Sequence, residues 1–177
     1  IAPLDWWVAV AIRLAFQALT TVLLWRLMRA LVGSRPWLWV VLIGYAFSAL
    51  LVPGMAALNS GLGLGIAQAC LVGALLAHVR YVRERRLTDA AIVAVLVAIM
   101  LAFAQQSLPA LVILPILTMA FLLEGSFSDR LREAFQMWRG WLLLGAALAC
   151  FAIGYLSGDY NSPGSDFGFT DAMWLAG

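Results

Sequence analysis

The sequence has little charge and no lysine. Only 11 basic and 9 acidic side chains occur among 177 residues, every basic one is an arginine, and 64% of the residues are hydrophobic. A soluble domain carries about a quarter charged residues, so a water-covered globular enzyme is excluded. The net charge of +2 is too small for a basic surface that binds nucleic acid, and no nucleic-acid partner is predicted.

Histidine occurs once, at His78, and cysteine twice, at Cys70 and Cys150. Zinc and haem sites need several such ligands at set spacings, so the sequence predicts no metal, no cofactor and no catalytic residue. His78, beside Arg80, is more typical of a hydrogen-bonding residue at a membrane interface. Both cysteines lie inside apolar runs. A disulfide between them is the alternative interpretation, and two small buried apolar side chains are the favoured one.

Continuous apolar runs of helix length make up most of the chain. In lipid the backbone must satisfy its own hydrogen bonds, and runs without alternating polarity argue for helices rather than a barrel. We therefore predict an all-α, polytopic transmembrane helix bundle. A span takes about 20 residues, and about six are predicted, near residues 6–32, 36–58, 61–79, 89–105, 109–123 and 140–157.

Local signals refine two of these spans. Pro115 falls inside the fifth and is expected to kink it, because proline removes one backbone donor. Thr88 and Asp89 are expected to open the fourth helix as its cap and its first-turn acid.

The arginines fall on alternate connections between these runs. Ten of the 11 lie in 26–35, 80–86 and 130–139, whereas the connections around Asn59 and Gln105 have none. The positive-inside rule makes the arginine-bearing connections cytoplasmic. We therefore expect a multi-pass protein of the inner (plasma) membrane with both ends external.

The two ends of the sequence carry further expectations. An external start without a signal-peptide pattern indicates an internal piece of a longer protein, and a complete small protein is the alternative. Residues 158–177 are expected to form an external polar tail or loop. Its acids, Asp159, Asp166 and Asp171, are more typical of a solvated turn than of a metal site or a general base.

Residues 126–139 predict an amphipathic helix that lies in the cytoplasmic interface. A connector between the fifth and sixth spans is the favoured role, and a docking role is the alternative. One face of this helix is apolar and consists of Phe127, Leu131, Ala134, Phe135 and Trp138. The other face is polar and consists of Asp129, Arg130, Arg132, Glu133, Gln136 and Arg139.

Small side chains recur at every fourth position in three predicted spans. Small residues let helix backbones approach closely in lipid, where apolar surfaces gain nothing by association. Packing within the bundle is the favoured interpretation, and docking onto a partner subunit is the alternative. The third span carries the longest stripe: Gly61, Gly65, Ala69, Gly73 and Ala77. Shorter stripes are Ala90, Ala94, Ala98 and Ala102 in the fourth span, and Ala146, Cys150, Gly154 and Gly158 in the sixth.

A polar stripe runs along the first span. Arg13, Gln17 and Thr21 follow one another at four-residue spacing, with Thr20 beside them. Arg13 lies about 10 Å beyond Trp6, a depth at which a lone arginine is costly. Snorkelling toward outer-leaflet phosphates and an ordinary buried hydrogen bond are two interpretations. The functional one is a contact with the phosphate of a lipid carrier or substrate.

Several short segments together resemble the middle transmembrane region of actinobacterial membrane proteins with GT-C glycosyltransferase-like architecture. They are Pro3–Trp7, Leu24–Arg29, Gly33–Trp37, Leu75–Tyr81 and Thr88–Ala90, and the resemblance covers most of residues 3–124. It implies a polytopic protein that uses a lipid-phosphate sugar donor. The family's catalytic acid lies in the first external loop, for which this sequence has no matching position, and no residue role is carried over.

Two functions follow as expectations. The first is part of a GT-C-like protein that transfers a lipid-linked sugar, or handles an envelope lipid, with the catalytic acid outside this segment. The second is a non-catalytic membrane subunit that stabilises a larger complex. Membrane lipids, a lipid-linked sugar and other membrane subunits are the expected partners.

Overall fold

The computed structural model describes residues 6–51 and 58–157, and all regular structure in these two ranges is helical. The predicted tail at 158–177 lies outside them. Seven α-helices follow in order: α1 Trp6–Val32, α2 Trp37–Leu51, α3 Leu58–Glu84, α4 Leu87–Phe103, α5 Ile113–Leu117, α6 Phe127–Gln136 and α7 Trp138–Ser157. A 3-10 helix, Gln105–Val112, precedes α5, and a π-helix, Thr118–Leu122, follows it. These three pieces are called the composite segment (105–122).

Among the described residues, two helices are long and apolar enough to cross a membrane, at Val10–Val32 in α1 and Gly63–Glu84 in α3. A third stretch qualifies only if Phe127–Gln136 and Trp138–Gly154 are taken together across a bend of 66°. Three shorter apolar helices complete the set: Trp37–Ala46, Leu87–Phe103 and Ser107–Leu122. The described chain is therefore an all-helical bundle with apolar helices suited to a membrane.

Helix α3 lies at the centre of this bundle. It packs against α1 on one side and α4 on another, while α4 also packs against α7 and α2 lies along α1. The main core combines small residues of α3 with larger ones of its neighbours. Its fully buried members include Ala74 of α3, Val97, Met100 and Leu101 of α4, and Leu114 of α5.

The small-residue stripe of α3 lies at these contacts. A Cβ placed on Gly65 would touch Phe16 Cβ of α1 at 3.6 Å, and one on Gly73 would lie 3.2 Å from Leu96 Cδ1 of α4. Ala69 and Ala77 are buried, and Gly61 lies in the first turns of the helix. Small side chains here let α3 approach two neighbours at once.

The stripe of the sixth predicted span behaves differently. Ala146, Cys150 and Gly154 lie on an exposed face of α7, and a Cβ on Gly154 would meet no atom within 4 Å. The helix instead packs inward through Leu144, Leu148 and Phe151, because larger side chains fill the space beside α4. Cys70 is buried and Cys150 exposed, and both are free thiols, so neither a disulfide nor two buried cysteines is found.

The ends of α1 and α3 show why the helices stop where they do. Gly33 adopts φ +82° and donates its N–H to the Arg29 carbonyl at 3.1 Å, a common helix ending. Arg85 repeats this at α3, with φ +58° and an N–H to the Tyr81 carbonyl at 2.8 Å. α3 thus runs past the expected end at residue 79, because charged residues occupy its last turn rather than a loop.

The fourth helix begins earlier than expected. It starts at Leu87 after Arg86, which offers no side-chain cap, so the expected cap at Thr88 is wrong. Asp89 does lie in the first turn. There the carboxylate sits at the positive end of the helix dipole.

The three arginine-bearing connections meet at one end of the bundle. α1 and α3 run parallel, and Arg83 Nη2 donates to the Ala30 carbonyl at 2.6 Å. Arg85, in the same connection as Arg83, forms a 2.5 Å ion pair with Glu133 of α6, in the third connection. Alternate connections therefore share one end, which we call the arginine end.

Helix α6 is attached at the arginine end by its polar side. Arg130 donates to the carbonyls of Gly125 and Met119, at 3.0 and 2.9 Å. Its start is a capping box, in which Ser126 and Asp129 bond each other's backbone N–H. The Ser126 hydroxyl also donates to the Asp129 carboxylate at 2.6 Å, and this bond, together with the one from the Ser126 N–H, holds the pKa of that carboxyl below its usual value.

The apolar side of α6 is open. Phe127, Leu131, Phe135 and Trp138 are all exposed, although a soluble amphipathic helix turns such residues to the core. The helix therefore presents an apolar face away from the bundle, as a helix lying in a membrane interface does.

We expect Gly73→Leu to destabilise the bundle by about 1–3 kcal/mol, because the larger side chain must displace Leu96 of α4. Gly65→Leu should act in the same direction by displacing Phe16. Gly44→Leu is the matched control, since a Cβ there meets nothing within 4 Å. Thermal unfolding of the purified proteins in detergent, followed by circular dichroism, measures the difference. Equal stability of Gly73→Leu and Gly44→Leu would contradict the packing at α3.

Candidate functional site

The structure separates the predicted polar stripe on α1 into buried and half-buried side chains. Arg13, Gln17 and Thr21 are half-buried, whereas Thr20 is fully buried. The hydroxyl of Thr21 donates to the Gln17 carbonyl at 2.8 Å, and Thr20 does the same to Phe16. Both threonines are thus satisfied by their own helix, which leaves Arg13 and Gln17 as the polar groups facing outward from the α1 backbone.

Gln17 is the unusual member of this stripe. Its side chain lies beside Tyr45 of α2, a neighbour that the sequence of α1 could not reveal. The amide nitrogen Nε2 is buried, and no residue in the described ranges accepts a hydrogen bond from it. A buried donor without an acceptor costs about 1–3 kcal/mol.

Arg13 lies one helical turn before Gln17, on the same face of α1. It is half-buried and already takes part in an interaction within the chain. A guanidinium and an amide donor one turn apart can bind two oxygens of one phosphate group. The α1–α2 pair therefore offers a small polar site, the Arg13–Gln17 site, inside otherwise apolar surface.

A second polar group lies in the core, where α3 meets the composite segment. His78 is buried, and its Nε2 lies 2.6 Å from Thr118 Oγ1. The Thr118 hydroxyl gives its proton to the Leu114 carbonyl at 2.8 Å. His78 Nε2 is therefore the donor to Thr118, which fixes the tautomer of the ring.

This histidine anchors an irregular helix. Thr118 begins the π-helix, which closes with the Leu123 N–H bonded to the Thr118 carbonyl at 3.1 Å. The ring also lies 5.6 Å from that of Trp141 in α7. His78 is a hydrogen-bonding residue as expected, and it is buried between helices.

The third polar group, centred on Tyr81, joins α6 to α7. The Tyr81 hydroxyl lies 3.3 Å from the Met137 carbonyl, to which it donates, and it accepts from the Gly140 N–H at 3.2 Å. Met137 precedes α7 and has no polar side chain to cap it. Tyr81 of α3 supplies that cap from another helix. A partner so distant in sequence left no signal in the pattern of α6 and α7.

Gly140 makes this contact geometrically feasible. A Cβ at this position would lie 2.4 Å from Tyr81 Cε1 and 2.7 Å from its hydroxyl oxygen. The glycine thus leaves room for the tyrosine ring at the 66° bend between α6 and α7. The bend is fixed by a side chain of α3 and is not a free hinge.

Within the described ranges, no group of three or more His, Cys, Asp or Glu side chains could hold a metal ion. Comparison with protein families, curated proteins and solved structures finds no match for this chain. The resemblance to GT-C glycosyltransferase-like proteins consequently stays a prediction. The polar groups described above are the observations from which a function can be argued.

We expect Gly140→Ala to destabilise the protein by about 1–3 kcal/mol, because the new methyl group occupies the place of the Tyr81 ring. Tyr81→Phe should cost about 0.5–1.5 kcal/mol, since it removes the hydroxyl but keeps the ring. Gly145→Ala in α7 is the control, where a Cβ meets nothing within 4 Å. There, alanine should leave stability equal or slightly higher. If thermal unfolding shows Gly140→Ala and Gly145→Ala equally stable, Tyr81 does not hold the bend.

Proposed function

We propose that this chain is a multi-pass membrane protein that binds a phosphate-bearing lipid at the Arg13–Gln17 site. The observation that supports the proposal is the half-buried Arg13 guanidinium, which lies on the same face of α1 as Gln17 within otherwise apolar surface. Arg13 supplies the charge that distinguishes phosphate from a neutral oxygen.

The sequence resemblance suggests which lipid this is. GT-C-like proteins use a sugar carried on a lipid phosphate, and that phosphate is the group that the Arg13–Gln17 site would bind. We propose that the chain is part of such a lipid-linked sugar transferase or a related envelope-lipid protein. The acid that activates the acceptor then lies outside this segment.

The proposal includes a topology. The apolar helices, including the shorter α2, α4 and composite segment, give about six spans when each crosses the bilayer. The arginine end faces the cytoplasm by the positive-inside rule, and the Arg13–Gln17 site lies toward the outside of the plasma membrane. Both ends of the segment are then external. The exposed apolar face of α6 lies in the cytoplasmic interface.

A second candidate function is a non-catalytic subunit of a larger membrane complex. The small-residue face of α7, with Ala146, Cys150 and Gly154 exposed, favours it. Small side chains on such a face let another helix approach closely, whereas contact with lipid gains little from them. Cross-linking of single cysteines on this face in native membranes separates the two functions, since a subunit gives a specific hetero-adduct at Cys150.

The lipid site predicts a graded response to substitution at Arg13. Native mass spectrometry of the purified protein with a synthetic polyprenyl phosphate measures lipid bound. We expect Arg13→Ala and Gln17→Leu to reduce binding about tenfold, the equivalent of one lost charge-assisted hydrogen bond of about 1.4 kcal/mol or more. Arg13→Lys should lie between, because lysine is a poor bidentate donor.

Arg132→Ala is the matched control for this experiment, since it removes one arginine from the exposed side of α6. Its lipid binding should equal that of the unchanged protein. If Arg13→Ala and Arg13→Lys both bind as much polyprenyl phosphate as the unchanged protein, Arg13 only snorkels, and the proposed lipid site is wrong.

Impermeant thiol labelling of intact cells tests the topology. Cys70 and Cys150 are first replaced by serine, and single cysteines are then introduced. Cysteines at Ser60, Gln106 and Ser162 should react, because these positions are expected to be external. Positions Arg83 and Gln136 should react only after the membrane is opened. Reaction of cysteines at positions 83 and 136 in intact cells would show that the orientation is the opposite of the one proposed.

A further inference from the structure

A cleft at the arginine end is separate from the site proposed above. It lies between the last turns of α1 and α3, and its volume is about 560 Å³, within the range of about 300–1,000 Å³ typical of ligand pockets. Arg26 of α1 lies 13 residues after Arg13, or about 20 Å along the helix. The cleft therefore belongs to the opposite leaflet.

Four guanidinium groups line this cleft. Arg26 and Arg29 come from α1, and Arg80 and Arg83 from α3. In each helix the two arginines are three residues apart and so share one face. The parallel course of the two helices brings both pairs together.

One acid, Glu84, also lines the cleft, but its carboxylate is already paired. Glu84 Oε2 lies 3.1 Å from Arg86 Nε. Arg83 is likewise engaged, since it donates to the Ala30 carbonyl and ties α3 to α1. The charge that remains for a ligand is therefore cationic and comes chiefly from Arg26, Arg29 and Arg80, which are exposed at the mouth of the cleft.

The floor of the cleft is apolar. Ala30, Leu76 and Val79 line it, and Leu76 and Val79 belong to a buried cluster with Leu27. A cationic mouth above an apolar floor matches an amphipathic ligand, whose anionic group meets arginine while its first methylene groups lie against the helices.

Trp25 forms the wall of the cleft. The Arg29 guanidinium lies over its ring at 5.3 Å, and the ring of Trp39 from α2 lies 6.4 Å away. Stacking orients Arg29, and tryptophans are enriched where headgroups meet hydrocarbon. The arginine is thus held at headgroup depth before any ligand arrives.

We propose that this cleft binds the phosphate of an anionic glycerophospholipid, held by Arg26 and Arg29 of α1 and Arg80 of α3. Basic pockets between helices on the cytoplasmic side suit such headgroups. A zwitterionic headgroup fits poorly, because its quaternary ammonium faces the same cluster of guanidinium groups.

Native mass spectrometry of the purified protein in detergent tests the site with phosphatidylglycerol as the probe. The double variant Arg29→Gln/Arg80→Gln should lose at least tenfold in bound lipid, and Arg26→Gln alone about threefold. Arg83 is left unchanged because it holds the helix ends together. Circular dichroism checks that each variant keeps its helix content and unfolding temperature.

The control is Arg132→Gln/Arg139→Gln, which removes the same charge from the arginine end outside the cleft. Phosphatidylglycerol binding should fall less than twofold there. An equal loss in both double variants would show general attraction to a charged surface and overturn the site. Binding of phosphatidylcholine as tight as phosphatidylglycerol would also overturn it.

Inorganic phosphate separates a lipid site from a site for the free anion. Added at a hundredfold excess over phosphatidylglycerol, it should leave the bound lipid unchanged, because only the lipid also has acyl chains that pack against the helices. Displacement of the lipid by phosphate alone would reject the lipid assignment. The Arg13 and Gln17 variants should bind phosphatidylglycerol normally, so this site and the Arg13–Gln17 site succeed or fail separately.

Discussion

Close packing of α3 is the constraint on which the rest of the bundle depends. In lipid, apolar surfaces of two helices gain nothing by leaving hydrocarbon for each other, so contact must come from dense packing and hydrogen bonds. Gly65 and Gly73 let α3 lie against α1 and α4. The same helix then supplies His78, Tyr81 and Arg83 to the composite segment, to the bend before α7 and to the end of α1. Each of these polar contacts requires α3 to keep its distance from its neighbouring helices and its rotation about its own axis.

The sequence predicts the all-helical class and the bounds of α1 well, since composition and periodicity act locally. The first helix has the expected bounds, 6–32, and the amphipathic segment begins at its Ser126 cap. The composite segment is the main departure. Pro115 was expected to produce one kink, but three helix types occupy 105–122, because Pro109 and Pro115 both lack a donor and Thr118 bonds to His78, 40 residues away.

The polar sites likewise combine spacings that the sequence of one helix reveals with contacts between helices that it does not reveal. The four-residue spacing of Arg13 and Gln17 was visible in one helix, but Tyr45 of α2 was not. Counting arginines placed three connections on one side, and the structure brings them to one end. The arginine count did not reveal that Arg26 and Arg80 would face each other across a cleft, since that depends on the rotation of α1 against α3.

The π-helix at Thr118–Leu122 has a consequence for the register of everything after it. Its closing bond spans five residues rather than four, so one residue is inserted relative to an α-helix. One residue corresponds to about 100° of rotation. Leu123 is thereby turned into the core while Phe121 is 76% exposed. Deletion of a single residue from this turn would rotate the attachment of α6 by that angle. Its polar side would leave Arg85, and its apolar face would turn toward the bundle. The orientation of α6 relative to the bundle thus depends on the number of residues in this one turn.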